Sequence, residues 1–282
     1  MTFDFRADAE RVAARALAED GPRDLTAEVT VAPAARGRGR LEFRGAGVLA
    51  GRVYAEAVAR ACGCAIVWEA AEGEWISGPR AIGAVEGPLG PLLRAERPLL
   101  NLLQRASGIA TATRAMVQAV AGTGARVLHT RKTAPGLRGL DVAGVLAGGG
   151  CLHRLDLAHA VMVKDNHWRA LAAQGKSLRA ALDEARARGA TALQVEVESE
   201  EQVETACRAG ATRLLIDNQS PETLGRWAAL ARRLAPGIEI EATGGITLEN
   251  AHAYAAAGAD FLSVGALTHS VRAADIALEV TA

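Results

Sequence analysis

The residues best suited to chemistry lie between His129 and Trp168, in the segments HTRKTAPGLR (129–138), GGGCLHRLDL (148–157) and VMVKDNHW (161–168). Cationic and imidazole side chains crowd this stretch, and acidic ones are few. The chain has 32 Lys and Arg residues but only three lysines, and Lys132 and Lys164 both lie here. Most cationic residues of this chain are arginines, so a lysine indicates a position where a compact ammonium is needed in place of a planar guanidinium. The stretch therefore indicates a site for a small, multiply charged anion, with a solvated basic face as the alternative.

Length and composition narrow the class of protein. The chain has 282 residues, enough for one large α/β domain and a smaller one. Its net charge of zero and its aromatic content of 4% argue against a nucleic-acid partner, which needs a basic surface and stacking rings. The sequence has neither a long apolar run nor the basic start of a signal peptide. We therefore expect no membrane partner and a cytoplasmic location.

The four cysteines, Cys62, Cys64, Cys151 and Cys207, fit neither a zinc framework nor a disulfide scaffold. We expect them to be reduced and buried. Cys151 lies inside the cationic stretch, but no base stands beside it in the sequence, so we do not assign it a nucleophilic role.

The first hundred residues read as a small α/β domain. Helical spacing of apolar residues predicts helices over 4–19 and 52–62, with short glycine-broken strands between 40 and 86. Pro98 is predicted at the first position of a further helix. Arg97 then precedes a proline, so we expect an extended backbone there and a side chain free to point away from the helix.

From residue 125 onward, strands and helices alternate. The predicted strands are 126–130, 160–163, 192–197, 213–217, 238–242 and 260–265. Helix starts at Ser199 and at Ser220-Pro221 carry capping signals. Six successive βα units indicate a closed or nearly closed parallel barrel. A doubly wound open sheet is the competitor, but no glycine-rich dinucleotide fingerprint follows the first strand.

Each of these strands is followed by, or ends on, a polar residue or a glycine. In chain order these are Arg131 and Lys132, Lys164, Glu196, Asp217, Thr243 with Gly244 and Gly245, and Gly265. In a barrel these positions share the rim where active sites lie. Packing alone does not require a polar residue or a glycine after every strand, so the sequence predicts that these residues form one site.

The residue types at this rim suggest three functions. The turns at Gly244-Gly245, before a helix predicted over 247–257, and at Gly265 would leave backbone N–H groups free to cradle a phosphate. Glu196 and Asp217 are suited to Mg²⁺, to ribose hydroxyls or to a developing oxocarbenium ion. The cationic residues would bind a dianion. The alternatives are glycines needed only for tight turns and carboxylates that only neutralise Arg131 and Lys132.

These segments, in this order, resemble the successive motifs of the quinolinate phosphoribosyltransferase family. The matching segments are HTRKTAPGLR, GGGCLHRLDL, VMVKDNHW, VEVES, LLIDN, IEATGG and SVGALTHS, together with EDGPRDLT and ERPLLNLLQRASGIATAT nearer the start. The resemblance implies an incomplete α/β barrel over 109–268 and a smaller N-terminal α/β sandwich domain over 1–108, which a C-terminal helix over 269–282 would join.

The same resemblance implies an activity and a role for each matching residue. The reaction would join quinolinate to phosphoribosyl pyrophosphate with Mg²⁺, giving nicotinate mononucleotide, CO₂ and pyrophosphate in NAD biosynthesis. Arg131, His153, Arg154 and Lys164 would bind quinolinate, with Arg97 arriving from the neighbouring subunit of a homodimer. Lys132 would bridge substrate and pyrophosphate, and Glu196 and Asp217 would face the ribose and the metal. The 5′-phosphate would be held by Thr243, Gly244, Gly245, Gly265 and His269.

The sequence departs from the family pattern at several positions. Thr243 replaces Ser, Val142-Ala143 replace Lys-Tyr, and Arg23, Leu146 and Leu152 replace Gly, Arg and Asn. VLAGGGCLHRL is closer to a branch encoded with molybdate-transport genes, although that branch tends to lack the KDNH present here at 164–167. These departures concern the choice of pyridine acid more than phosphoribosyl transfer.

Three other functions remain open on the sequence alone. One is a related transferase of the molybdate-transport-associated branch that acts on another small anion. Another is an aldolase that forms a Schiff base on Lys164. The last is a sugar-phosphate-binding protein without catalytic activity.

Overall fold

The structure, a computed structural model, describes residues 3–281. The first part of the chain forms five strands and four helices. In chain order they are α1 (Phe5–Glu19), α2 (Leu25–Thr30), β1 (Arg36–Phe43), β2 (Gly47–Val48), α3 (Arg52–Ala61), β3 (Ala65–Trp68), β4 (Trp75–Ile76), β5 (Arg80–Pro88) and α4 (Leu89–Ala119).

The remainder alternates strands and helices, as the sequence predicted. It forms β6 (Arg126–Leu128), α5 (Arg138–Ala147), β7 (Val161–Val163), α6 (Asp165–Ala173), α7 (Leu178–Ala187), β8 (Leu193–Val197), α8 (Glu200–Ala209), β9 (Arg213–Asp217), α9 (Pro221–Leu234), β10 (Glu239–Thr243), α10 (Ala251–Ala256), β11 (Phe261–Ser263), α11 (Ala266–His269) and β12 (Ile276–Thr281).

The chain divides into two compact units. The first comprises residues 3–114, Lys132–Gly150 and 266–281, and the second comprises Ala115–Arg131 and Cys151–Gly265. The predicted division, at residue 108 with a C-terminal addition, differs because it assigned residues 132–150 to the barrel. Helix α5 in that segment belongs to the first unit, where Gly139 packs closely against Asp8 and Tyr54.

The first unit contains a four-stranded antiparallel sheet in the order β12-β1-β5-β3. Its core is formed by fully buried aliphatic and aromatic side chains such as Leu41, Phe43, Tyr54, Ile82 and Leu103. This unit confirms the predicted smaller α/β domain.

The second unit contains a parallel sheet of six strands in the order β6-β11-β10-β9-β8-β7. The first strand in sequence pairs with the last, which is how a barrel begins to close. The described residues of β6 and β7 do not pair with each other, so the barrel is incomplete, as predicted. Cys151 makes a single parallel bridge to Leu128 at that opening.

The helices around this sheet begin where the capping residues predicted. The Ser199 hydroxyl accepts a hydrogen bond from the N–H of Gln202 at the start of α8. Ser220 caps α9 in the same way, with Pro221 in the first turn. Each cap supplies an acceptor to an N–H that has no partner inside the helix.

The predicted start of α4 is wrong. The helix begins at Leu89 and contains Pro98 in its interior, so Arg97 is helical rather than extended. Pro91 is the proline in the first turn, where a missing N–H costs nothing. At Pro98 the lost backbone hydrogen bond is offset by burial of the leucines on either side, including Leu92 and Leu99 at 0% exposure.

Two further predictions are corrected. The C-terminal helix predicted over 269–282 is wrong: within its described part, Ile276–Thr281 is a strand, and Ala282 lies outside the described residues. Its sequence, IALEVT, alternates apolar and polar residues, and it pairs antiparallel with β1. Helix α10 begins at Ala251 rather than at residue 247, because a turn closed by Asn250 occupies the intervening positions.

No described helix is long and apolar enough to cross a membrane. The four cysteines are free thiols, as predicted, but only Cys64 and Cys207 are buried; Cys62 and Cys151 are half-buried.

Gly139 offers a test of the packing between α5 and the rest of the first unit. A Cβ atom at this position would overlap Oδ2 of Asp8 and lie 2.7 Å from the hydroxyl oxygen of Tyr54. We expect Gly139→Ala to lower the free energy of unfolding by about 1–3 kcal/mol in urea titrations. Gly90→Ala is the matched control, since it also changes the second residue of a helix but meets nothing within 4 Å. An equal effect of the two substitutions would contradict this packing.

Candidate active site

The ends of β7 and β8 bring a lysine and a glutamate together. Val163 pairs with Val195, so Lys164 and Glu196 follow at the same level. The Lys164 ammonium donates to the buried Glu196 carboxylate, and the indole N–H of Trp168 donates to the Glu196 carbonyl at 2.9 Å. An ammonium in a salt bridge lacks the free lone pair that Schiff-base formation needs, which argues against the aldolase alternative.

The ends of β9 and β10 lie side by side, with Thr243 paired to Asp217. Asn218, the next residue, has a positive φ of 53° and donates its amide to Asp217 at 2.6 Å. A Cβ atom on Gly244 (φ 80°) would overlap the Asn218 side chain, so only glycine fits there. A Cβ atom added at Gly245 (φ 61°) would meet no described residue within 4 Å. A ligand can therefore approach the backbone of Gly245 closely.

A buried carboxylate on β10, Glu241, was not singled out in the sequence. It is 1% exposed and accepts hydrogen bonds from Ser263 Oγ (2.6 Å) and Arg213 (3.0 Å), and its Oε2 lies 3.2 Å from His153 Nε2. Burial acts to raise the pKa of Glu241, but the hydrogen bonds from His153 and Ser263 and the charge of Arg213 outweigh it, so the pKa is lowered. The sequence IEIEA (238–242) contained a signal for it: Glu239 and Glu241 alternate with apolar residues, which places both carboxylates on one face of the strand.

Arg154 feels the charge of this carboxylate and that of a second guanidinium, Arg131. Burial and the neighbouring charge of Arg131 lower the pKa of Arg154, while the Glu241 carboxylate opposes that shift. The Nε atom of Arg131 is buried and has no hydrogen-bond partner among residues 3–281. Cations held close together in this way form a ready site for a dianion, because each added charge-assisted bond contributes roughly 1.5–3 kcal/mol.

Lys132 and His269 lie in the first unit. The Thr268 hydroxyl donates to the Lys132 carbonyl at 2.9 Å, which holds the loop after β6 against α11. The fully buried Asp141 accepts two hydrogen bonds from Arg105, at 2.7 and 2.9 Å, and one from the N–H of Ala134. This network fixes the backbone around Lys132, while His269 is exposed at the end of α11.

Arg97 also lies in the first unit, on α4. Its side chain is 62% exposed and 3.9 Å from Glu96. It lines a cleft of about 340 Å³ together with Arg15, Arg105 and the loop residues Pro135 and Gly136.

Most of the residues predicted for the site lie in the second unit. It contains Arg131, His153, Arg154, Lys164, Glu196, Asp217, Thr243, Gly244, Gly245 and Gly265. Arg97, Lys132 and His269 belong to the first unit. Among the described residues, no group of three His, Cys, Asp or Glu side chains is arranged to hold a metal ion.

A chain that combines a parallel, incomplete barrel and such strand-end residues with an antiparallel α/β domain has the features of an enzyme of the phosphoribosyltransferase type. The model of the quinolinate phosphoribosyl transferase C-terminal domain matches residues 109–279, and that of the N-terminal domain matches residues 24–107. The chain belongs to the quinolinate phosphoribosyltransferase family.

Individual relatives agree with this assignment. The human nicotinate-nucleotide pyrophosphorylase [carboxylating] is 38% identical over 270 residues, which cover 94% of this chain and 89% of that protein. A probable nicotinate-nucleotide pyrophosphorylase [carboxylating] of Bacillus subtilis is 42% identical over 211 residues, covering 74% and 71%. The solved nicotinate-nucleotide pyrophosphorylase of Francisella tularensis superposes with a TM-score of 0.89 at 29% identity, covering 100% of both chains. These comparisons give no support to the molybdate-transport-associated alternative.

Removing one guanidinium tests whether Arg131 and Arg154 are poised for an anion. Without ligand the two cations repel each other, so we expect Arg154→Gln to leave the free energy of unfolding unchanged or raise it by up to about 1 kcal/mol. Arg169→Gln, at an exposed ion pair with Asp165, should change it by less than about 0.5 kcal/mol. A loss of more than about 1 kcal/mol in Arg154→Gln would mean that this guanidinium stabilises the fold instead.

Proposed function

We propose that this protein transfers the phosphoribosyl group of phosphoribosyl pyrophosphate to quinolinate. The products are nicotinate mononucleotide, CO₂ and pyrophosphate, and the reaction serves NAD biosynthesis. The observation that carries the proposal is the pair Arg131 and Arg154: the charge of Arg131 acts on Arg154, and the Nε atom of Arg131 is buried without a hydrogen-bond partner among residues 3–281. Two neighbouring guanidiniums have the charge that two adjacent carboxylates of one aromatic ring require.

The dianion end of the site selects the acid. Planar guanidiniums bind carboxylates through two parallel hydrogen bonds, and Lys164 adds a third cation from the end of β7. His153 is the remaining polar group on this side. The departures Val142 and Ala143 lie on α5, where Val142 is fully buried and Ala143 packs against the core of the first unit. They therefore remove no cation from the strand ends.

The ribose phosphate end lies at β9, β10 and the turn after β11. Gly244 and Gly245 offer a backbone that a phosphate can approach, and Thr243 supplies a hydroxyl in place of the usual serine. Gly265 follows β11, and His269 comes four residues later in the chain. Together these groups would hold the 5′-phosphate.

The chemistry at the ribose needs stabilisation of positive charge. As the bond between ribose C1 and pyrophosphate breaks, Glu196 and Asp217 favour the cationic carbon more than the neutral ground state. The pyridine nitrogen then forms the new bond to C1. The carboxylate beside that nitrogen leaves as CO₂, and the ring carbon takes up a proton. Lys132 adjoins Arg131 in the chain and would bridge the substrate and the leaving pyrophosphate.

Mg²⁺ fits a site of this composition. The ion is commonly held by one or two carboxylates, with water and substrate phosphate supplying its other ligands. Asp217 has a carboxylate at the strand end, and Glu196 can turn from Lys164 toward the metal when substrate arrives. The ion would neutralise the pyrophosphate as it leaves.

A homodimer would complete the acid site. Arg97 is exposed on the first unit, 3.9 Å from Glu96, so its guanidinium is available to a neighbouring subunit. We assign it to the quinolinate carboxylates of that subunit.

The direct test is an assay with quinolinate, phosphoribosyl pyrophosphate and Mg²⁺. We expect nicotinate mononucleotide and CO₂ in equal amounts, and we expect a chelator of divalent cations to stop turnover. Arg154→Ala should raise the KM for quinolinate about tenfold or more and change the KM for phosphoribosyl pyrophosphate little. Use of nicotinate as efficiently as quinolinate, or use of neither, would exclude the proposal.

Mixed dimers test the contribution of Arg97 across the interface. Arg97→Ala and Lys164→Ala should each be inactive alone, because each removes a cation from every site. In a mixture of the two proteins, a hybrid dimer has one site with both groups intact, so activity should return to about a quarter of that of wild type by random assembly. A mixture that stays inactive would place Arg97 in its own subunit's site, and an Arg97→Ala protein that is active alone would place it in none.

A further inference from the structure

We propose that Glu241 is a positioning residue for the aromatic-acid site, which it controls by fixing the proton of His153 on Nε2. The ring then turns its Nδ1 edge to the substrate, where a proton on Nδ1 can donate to a quinolinate carboxylate. This inference rests on the proposed function, because it takes His153 as a ligand of quinolinate.

The contacts of Glu241 account for both of its oxygens. Oε1 accepts from Ser263 Oγ at 2.6 Å, and Oε2 accepts from Arg213 at 3.0 Å. His153 Nε2 lies 3.2 Å from the same Oε2. An ionised carboxylate can only accept, so the imidazole nitrogen that faces it must carry a proton. The contact thereby holds a proton on Nε2 and leaves Nδ1 for the ligand, to whose carboxylate it donates when it also carries a proton.

The surroundings of His153 hold its ring in place. The side chain is 7% exposed. Its ring meets that of His129 edge to face, with centroids 6.4 Å apart and an interplanar angle of 84°. Because the ring is buried and its Nε2 is held by Glu241, the ring cannot flip, and the Nδ1 edge stays available to the ligand. Fixing the tautomer and orientation of a histidine through a carboxylate behind it is a common way to prepare it for binding.

Packing alone gives little reason for a carboxylate at position 241. The flanking residues of β10, Ile240 and Ala242, are fully buried and apolar, and a buried charge costs several kcal/mol unless it is paired. Glu241 is surrounded by His153 from the loop after Cys151, Arg213 from β9 and Ser263 from β11, with the charge of Arg154 also acting on it. One carboxylate thus connects His153 to Arg213 at the start of β9, and it also acts on the charge of Arg154.

Glu239 provides a matched control. It lies on the same face of β10 and accepts from the same Arg213 at 2.9 Å, but its side chain is 44% exposed and it makes no contact with His153. Any effect of Glu241→Gln that arises only from releasing Arg213 should also arise in Glu239→Gln.

The experiment compares the two substitutions by steady-state kinetics. We expect Glu241→Gln to raise the KM for quinolinate about tenfold or more, with the KM for phosphoribosyl pyrophosphate changed less than about threefold. Glu239→Gln should leave both constants near wild type. A purely electrostatic role predicts the opposite for Glu241→Gln, because losing a negative charge beside the cations would tighten dianion binding. Equal constants in the two variants, or tighter quinolinate binding in Glu241→Gln, would overturn the inference.

A second measurement reads the histidine directly in the wild-type protein. Long-range ¹H–¹⁵N spectra of the wild-type protein report which ring nitrogens carry protons, and the His153 signals are those missing in His153→Gln. We expect a protonated Nε2 with and without quinolinate; an unprotonated Nε2 would overturn the inference. Failure of the proposed function would appear differently, as a wild-type protein that makes no nicotinate mononucleotide.

Discussion

The site depends on the parallel register of the six-stranded sheet. Because all six strands point the same way, the residues that end them come to one edge, whatever their distance in sequence. Lys164 and Glu196 are 32 residues apart yet meet through the pairing of Val163 with Val195. The pairing of Thr243 with Asp217 does the same for the ribose phosphate end. A slip of one residue in either pairing would turn these side chains to the other face of the sheet.

This edge carries more charge than its surroundings can neutralise. Lys164 is paired with Glu196, whereas Arg154 has the neighbouring charge of Arg131 against it and only the buried carboxylate of Glu241 in its favour. The burial that lowers the pKa of Arg154 also strengthens any hydrogen bond that an incoming dianion makes. The repulsion between Arg131 and Arg154 lowers the stability of the unliganded protein, and a bound dianion relieves it. Such a conflict between stability and function is general at binding sites.

The sequence could predict the elements and the strand-end residues because both depend on local patterns. Apolar runs located every barrel strand, and the residues after these strands form the predicted site. The alternation in IEIEA showed that Glu241 faces the same side as Glu239, but the contacts that give it a role come from His153, Ser263 and Arg213, in three distant parts of the chain. The start of α4 at Leu89 was missed because tertiary packing outweighs the cost of Pro98 inside the helix. The strand at Ile276–Thr281 was missed because its partner, β1, is distant in the sequence.

The measurement that tests the account most directly is a crystal structure of the protein with quinolinate bound. The account predicts that both carboxylates of the ligand contact the guanidiniums of Arg131 and Arg154, with the ring nitrogen directed toward Asp217 and the turn at Gly245. A ligand bound with its carboxylates away from both guanidiniums, or at the N-terminal ends of the strands, would contradict it.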